Sequence, residues 1–393
     1  MRTGNRERET WRRLAGGELS WEALRARARV LEGIRAFFRD RGFLEVDPPI
    51  AQAYPNIDPN IFPVRIDDAS GKTARFYLHT SPELAMKKLL AAGSGDIFFL
   101  GKVFRDREGS PLHSPEFTML EWYRVGGDAD AVMRDVEELV RTLALSIAGG
   151  NTVHRGNREI PVDRPWPRWD LDDAFRELLG VGMAGEKELR EALVRTLSRT
   201  IAGEAVVHGN GREIPVDGPW PRWELDDAFR ELLGVGMTGE KEALRNALDR
   251  IGLRPDADET WEDLFFRACL DVVEPALAER GACFLTGYPA SLAAMARRRT
   301  GRPEVSERFE GFVAGVELVN GYEELTDPAE QEDRLLALVE RHRRTAGGTL
   351  PVDPGFLDAL RLGLPPCAGA ALGVDRLVML LLRTDDIADG MYR

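Results

Sequence analysis

The chain has 393 residues, 43% of them hydrophobic and 30% charged, with a formal net charge of −13. That is a globular composition, long enough for a large core or several domains, and its acidity argues against a surface built to grip nucleic-acid phosphates. Cys269, Cys283 and Cys367 form no CxxC pair and no disulfide framework, and the five histidines show no zinc spacing. The stretch "MRTGNRERETWRRL" lacks the apolar run of a signal peptide, and "LVMLLL" at 377–382 is far too short for a bilayer. A cytoplasmic location without membrane association is expected.

Residues 20–41 predict an amphipathic helix: Ser20 can cap it, Leu24, Ala28, Leu31, Ile34, Phe37 and Phe38 recur at helical spacing, and Gly42 ends it. "FLEVDPPI" follows as a short extended piece broken by Pro48 and Pro49. A short helix is expected over 82–92. Strands at 96–105 and 116–124 are joined by loop 106–115 as a hairpin, and a helix follows at 128–147. Strands return near 283–286 and at 308–320, and helices at about 328–346 and 354–361. The end, "CAGAALGVDRLVMLLL", reads as a small-residue strand running into a helix. Strands and helices mix without a βαβ rhythm, which favours an α+β fold: an antiparallel sheet flanked by helices.

A tandem repeat occupies the middle. "VHRGNREIPVDRPWPRWDLDDAFRELLGVGMAGEK" at 153–187 recurs as "VHGNGREIPVDGPWPRWELDDAFRELLGVGMTGEK" at 207–241, and the similarity extends upstream. Two copies do not make a solenoid. The reading is an internal duplication over 138–245, about 138–191 and 192–245, tolerated as a surface insertion within one domain spanning 1–393. "PWPRW" is expected to be a packing corner, with His154 and His208 incidental.

Three segments carry candidate chemistry. In "HSPEFTMLEWYR", alternation puts Phe117, Met119, Glu121 and Tyr123 on one strand face, where a purine could stack on Phe117 and a cation could meet Glu121. Arg105, at the end of the preceding strand, could hold a phosphate bidentately. The plainer alternative is a half-buried strand whose glutamate pairs with an arginine. In "AGAALGVDR", Gly369, Ala371 and Gly373 share a face that lets a ligand lie against backbone. Asp375 is placed to cap the next helix, and Arg376 in its first turn suits a phosphate. In "RFEGFVAGVELVNGYEEL", a bulge near Gly311 or Gly315 would bring Glu310 and Glu317 to one Mg²⁺ site; the alternative is a solvated edge.

Together these segments resemble the signature motifs of the class II aminoacyl-tRNA synthetases, in the lysyl branch and its short paralogue that modifies elongation factor P. "GFLEVDPPI" resembles the dimer-forming motif 1, "FRDREGSPLHSPEFTMLEWY" motif 2 and "GLPPCAGAALGVDRLVML" motif 3. "TSPELAMKKLL" and "ERFEGFVAGVELVNGYEELTDPAEQ" fit the same paralogue. The resemblance implies the class II catalytic fold and no anticodon-binding domain. About twenty residues precede the motif 1 helix, too few for one. It implies ATP and Mg²⁺, with Arg105 on the α-phosphate, Arg376 on the γ-phosphate and Phe117 stacking the adenine. Asp106, Arg107, Glu108, His113, Ser114, Leu318 and Gly373 complete the ATP site, and Glu310 and Glu317 bind the metal. Ser81, Pro82, Glu83, Glu121, Tyr123, Asn320, Glu324 and Ala371 line the amino-acid pocket. Ala371 stands where the lysyl synthetases typically have glycine, consistent with a β-amino acid. Ser114 replaces a common asparagine, and Arg107 an acidic residue. The implied activity is activation of lysine, (R)-β-lysine in particular, and its transfer to elongation factor P by a homodimer, without tRNA. The rivals are an adenylate-former with another acceptor and a catalytically silent paralogue.

Overall fold

The computed structural model describes residues 10–58, 60–70, 74–155, 158–163, 165–166, 206–209, 212–215, 223–224, 230, 232–233, 241–250, 252–256, 258–278, 281–346 and 349–391. Helices α1 (Thr10–Ala15) and α2 (Trp21–Arg39) lead into the short strands β1 (Leu44–Glu45), β2 (Ala51–Gln52), β3 (Arg65–Asp67) and β4 (Ala74–Leu78). Helix α3 (Glu83–Ala91) precedes the hairpin of β5 (Ile97–Phe104) and β6 (Glu116–Val125), and α4 (Ala129–Leu143) precedes β7 (Thr152–Arg155) and β8 (Arg158–Pro161). The middle holds β9 (Val206–Gly209), β10 (Arg212–Pro215), β11 (Trp223–Glu224), α5 (Lys241–Arg250), α6 (Trp261–Ala268), α7 (Glu274–Ala278) and β12 (Ala282–Thr286). Strands β13 (Arg298–Arg299), β14 (Arg302–Ser306), β15 (Arg308–Val313) and β16 (Val316–Glu323) follow. Helices α8 (Pro328–Ala346) and α9 (Pro354–Gly363), strand β17 (Cys367–Gly373) and helix α10 (Val374–Leu382) close the chain.

Two compact units form. One comprises Met1–Pro165, Ala290–Arg308 and Val316–Arg393; the other comprises Trp166–Pro289 and Phe309–Gly315. The first carries five strands side by side in the order β1, β5, β6, β17, β16, antiparallel except for β1 with β5. This is the expected α+β arrangement. The second carries β15, β12 and β11 in that order, with α5, α6 and α7.

In the first unit, α2 covers one sheet face. Phe38 stacks on Phe98 of β5 at 5.1 Å and leans on Trp122 of β6 at 5.4 Å; all three are buried. Ser20 caps α2 as expected, its hydroxyl accepting from the Ala23 N–H, and Gly42 turns the chain away with φ +83. The buried stripe is nevertheless Ala26, Val30, Ile34, Phe37 and Phe38, and Ala28 is exposed. The stripe is rotated because Arg27 turns inward to Asp375 (2.5 Å) and Thr118 (2.7 Å). Asp375 does not cap α10, whose N-cap is Gly373. Its second oxygen accepts the Thr118 N–H at 2.7 Å, which ties α10, β6 and α2 together.

The expected strand over 308–320 is two strands. Ala314 (φ +51) and Gly315 (φ +75) both adopt left-handed backbone and turn the chain between β15 and β16. A Cβ on Gly315 would stand 2.7 Å from that of Ala278, so only glycine fits there. Glu310 therefore sits on β15 opposite Leu285, in the second unit, while Glu317 sits on β16 in the first.

No helix among the described residues is long and apolar enough to cross a membrane. The repeat is partly described: β7–β8 and β9–β10 are equivalent hairpins of the two copies, Thr152 facing Pro161 in one and Val206 facing Pro215 in the other. The rest of the duplicated stretch, His208 excepted, lies mostly outside the described residues.

Candidate active site

The sheet face opposite α2 is where most of the expected site residues meet. Cross-strand register puts Glu121 beside Ala371 and Ala371 beside Asn320; one pair further along, Tyr123 lies beside Gly369 and Gly369 beside Tyr322. Neighbours in register share a face, so β6, β17 and β16 form a three-strand platform. The platform has two ends. Phe117, Gly373 and Glu317 lie toward one end; Tyr123, Cys367 and Glu324, just beyond β16, lie toward the other.

At the second end the carboxylates converge. Glu121 is 3% exposed and accepts hydroxyl bonds from Ser81 and Tyr123, each at 2.7 Å. Burial, reinforced by the charge of Glu83, raises its carboxyl to about 7. Glu83 opens α3, with Pro82 at the N-cap position, so its charge also meets the positive end of the helix dipole. Its Oε1 accepts from the Tyr322 hydroxyl and from Lys87 Nζ at 2.7 Å. Lys87, one turn on, is almost completely buried and also meets Glu324 Oε2 at 2.5 Å. Burial raises the Glu324 carboxyl to about 8 even though Lys87 opposes it, and its buried Oε1 has no hydrogen-bond partner among the described residues. Glu324 and Glu83 together hold the Lys87 ammonium above its usual value despite burial. Burial and these anions also push the Tyr123 and Tyr322 hydroxyls well up, keeping them protonated donors.

Gly369 departs from the expectation. A Cβ there would stand 2.4 Å from Tyr123 Cδ1, so the space it leaves holds the tyrosine ring that supports Glu121 and no ligand. Ala371 is the small residue between Glu121 and Asn320.

The first end is cationic. Arg105 follows β5, its guanidinium 5.0 Å from the centre of the Phe117 ring. Burial lowers its value from the ordinary one, with Glu317, Glu108 and Asp58 opposing. Its Nε is buried without a hydrogen-bond partner among the described residues, a donor poised for an anion. Arg376 donates to the Glu317 carbonyl at 2.6 Å, to its carboxylate at 3.2 Å and to His113 Nε2 at 2.8 Å. His113 Nδ1 is bonded to Ser110 at 2.8 Å; burial and then Arg376 lower its value. Arg376 holds Glu317 below the usual carboxylate range although burial works against it. Gly373 lies beside Arg376, whose Cδ would make ordinary van der Waals contact, at 3.6 Å, with a Cβ there. Leu318 is buried in β16, and Ser114 lies in the loop before β6.

Arg107 and Asp106, also expected at the ATP site, lie in the loop after β5. Arg107 takes left-handed backbone (φ +64) and lays its guanidinium over the Phe62 ring at 4.1 Å. Asp106 accepts the Arg107 N–H and pairs by backbone with Phe62. Among the described residues no group of three or more His, Cys, Asp or Glu is gathered for a metal. Lys87 and Tyr322 were missed from sequence. The partner of Lys87, Glu324, is far along the chain.

The site is thus an antiparallel platform with buried carboxylates at one end and arginines at the other. The chain belongs to the class II tRNA synthetases: the family described as "tRNA synthetases class II (D, K and N)" matches residues 6–392. The protein is thus an enzyme, a ligase of the synthetase type. It is 31% identical over 361 residues to an elongation factor P–(R)-β-lysine ligase homolog of Aquifex aeolicus, covering 92% of this chain and 95% of that one. It is 32% identical over 367 residues to the elongation factor P–(R)-β-lysine ligase of Vibrio cholerae, covering 93% and 92%. It is also 30% identical over 372 residues to a lysine–tRNA ligase of Chloroflexus aurantiacus, covering 94% of this chain and 64% of that one.

Proposed function

We propose that the protein activates lysine, (R)-β-lysine in particular, as an adenylate and transfers it to a lysine side chain of elongation factor P. The observation that carries this reading is the divided platform: Glu121, Glu83 and Glu324 at one end suit ammonium groups, while Arg105 and Arg376 at the other suit a polyphosphate. The extensive similarity to elongation factor P–(R)-β-lysine ligases supports it.

The amino acid lies with its ammonium groups among the carboxylates and its own carboxylate toward Arg105. That carboxylate attacks the α-phosphate of ATP, forming a mixed anhydride and expelling pyrophosphate. Arg105 binds the α-phosphate and gains contact as negative charge builds there; Phe117 offers its ring to the adenine, and Arg376 takes the γ-phosphate. His113, Glu108, Ser114, Leu318 and Gly373 border that end. A magnesium ion with Glu317 as a carboxylate ligand would neutralise phosphate charge. Asn320 and Ala371 set the width of the amino-acid pocket, and the methyl of Ala371 favours a displaced amine. The ε-amine of the acceptor lysine then attacks the acyl carbon and releases AMP. Segment 43–50 mediates a homodimer, and the duplicated segment is an insertion in a single catalytic domain located in the cytoplasm.

The test is acceptor modification. Purified protein, ATP, Mg²⁺ and (R)-β-lysine are incubated with elongation factor P or with lysine tRNA. Mass gain on one lysine of the factor, with the tRNA uncharged, is expected. Activation without transfer to the factor would assign the enzyme to another acceptor.

A further inference from the structure

We propose that Lys87 is a specificity-determining residue, a built-in cation that sets the charge of the pocket to match a substrate with two amines. The inference rests on the reading of the site as a lysine or β-lysine pocket. Three carboxylates, Glu83, Glu121 and Glu324, converge there, and Lys87 joins two of them at 2.7 and 2.5 Å. With all three ionised the set carries −3; Lys87 reduces it to −2, the complement of two ammonium groups. Without Lys87 the cluster would hold an extra proton or an extra cation, either of which would compete with the substrate. Lys87 also lies 5.3 Å from the Tyr322 ring centre, and its ties to Glu83 and Glu324 hold carboxylates of α3 and of the end of β16 at a fixed separation.

The groups around Glu324 are Lys87 and Glu83 from α3, Glu121 and Tyr123 from β6, Tyr322 from β16 and Cys367 from β17. Among the described residues Lys87 is the one cation of this group, and it holds Glu324 down from a still higher value. Removing it must move ionisation of the carboxylate cluster to higher pH.

The experiment compares wild type, Lys87→Met and Lys87→Arg by amino-acid-dependent ATP–pyrophosphate exchange from pH 6 to pH 9. For K87M, the amino-acid KM is expected to rise about tenfold or more with the ATP KM within about twofold, and the acidic limb of kcat/KM to move to higher pH. K87R should restore the position of that limb. An unmoved limb in K87M, in protein that melts as a folded species, would leave Lys87 as a packing residue and overturn the proposal. Absence of exchange with any diamino acid in wild type would instead overturn the functional reading beneath it.

A separate observation concerns the duplication. Trp166, the first tryptophan of "PWPRW" in the first copy, is 2% exposed and packs on Phe284 of β12 at 5.2 Å. Trp223, the second tryptophan of the same motif in the second copy, pairs by backbone with Leu285, the next residue of β12. We infer that one motif is assembled from two copies. Residues 167–220, one repeat length, are then an insertion at the junction. Deleting 167–220 should preserve exchange and melting temperature. Trp166→Ala should lower the melting temperature by several degrees. An inactive or unfolded deletion variant, or an unchanged melting temperature in Trp166→Ala, would overturn the inference.

Discussion

Replacing Glu121 with glutamine should make the protein more stable and its substrate binding worse. The carboxyl is buried, and its value is raised from the ordinary 4.5 to about 7 by burial and by Glu83. A carboxyl raised in the folded state binds its proton more tightly there. The stability this supplies is complete below pH 4.5 and lost as pH rises through about 7. Above that, the buried charge costs about 3 kcal/mol relative to a neutral group, at 1.36 kcal/mol per pH unit. Glutamine removes the charge, and the Ser81 and Tyr123 hydroxyls, both 2.7 Å away, can rotate to pair with its amide. Glu121→Gln should therefore melt several degrees above wild type at pH 8.5 and show a smaller advantage at pH 5. A charge-assisted bond to the substrate ammonium is lost at the same time, worth about 1.5–3 kcal/mol, or about 10- to 100-fold in the amino-acid KM. Thermal melts at the two pH values and exchange kinetics with each substrate varied are the assays. A lower melting temperature at pH 8.5, or equal changes in the KM for ATP and for the amino acid, would refute the reasoning.

The other two site predictions use geometry more than charge. Gly369→Ala would drive a methyl into the Tyr123 ring, with contacts of 2.4 and 2.5 Å. The ring must swing and release Glu121, so stability should fall by about 1–3 kcal/mol and the amino-acid KM should rise; a denaturant melt and exchange kinetics check this. Arg105→Met should lower the kcat of exchange about 100-fold or more while leaving the melting temperature unchanged or raised, because a buried cation with an unpartnered Nε is removed. Activity within threefold of wild type would remove Arg105 from the α-phosphate.

Periodicity made much of the fold legible. The β5–β6 hairpin and helices α2, α3, α4, α8, α9 and α10 follow from alternation, helical spacing and the Ser20 cap. The platform was legible too, because Glu121 among apolar neighbours and the small residues of β17 are odd choices for a core strand. Three features were not. Ala314 in left-handed backbone cannot be foreseen by alternation, so β15 and β16 read as one strand. Asp375 looks like a cap until Arg27 and the Thr118 N–H are seen to claim it. Lys87 owes its role to Glu324 and Tyr322, which only the folded chain brings to it.

The central claim is that this site forms an adenylate from a diamino acid, and ATP–pyrophosphate exchange tests it most directly. Folded wild-type protein is assayed with (R)-β-lysine, α-lysine, ornithine and a panel of monoamino acids. The account predicts strong exchange with a lysine, greatest with (R)-β-lysine, and none with the monoamino acids. Exchange driven by a monoamino acid, or none with any amino acid tested, would contradict it.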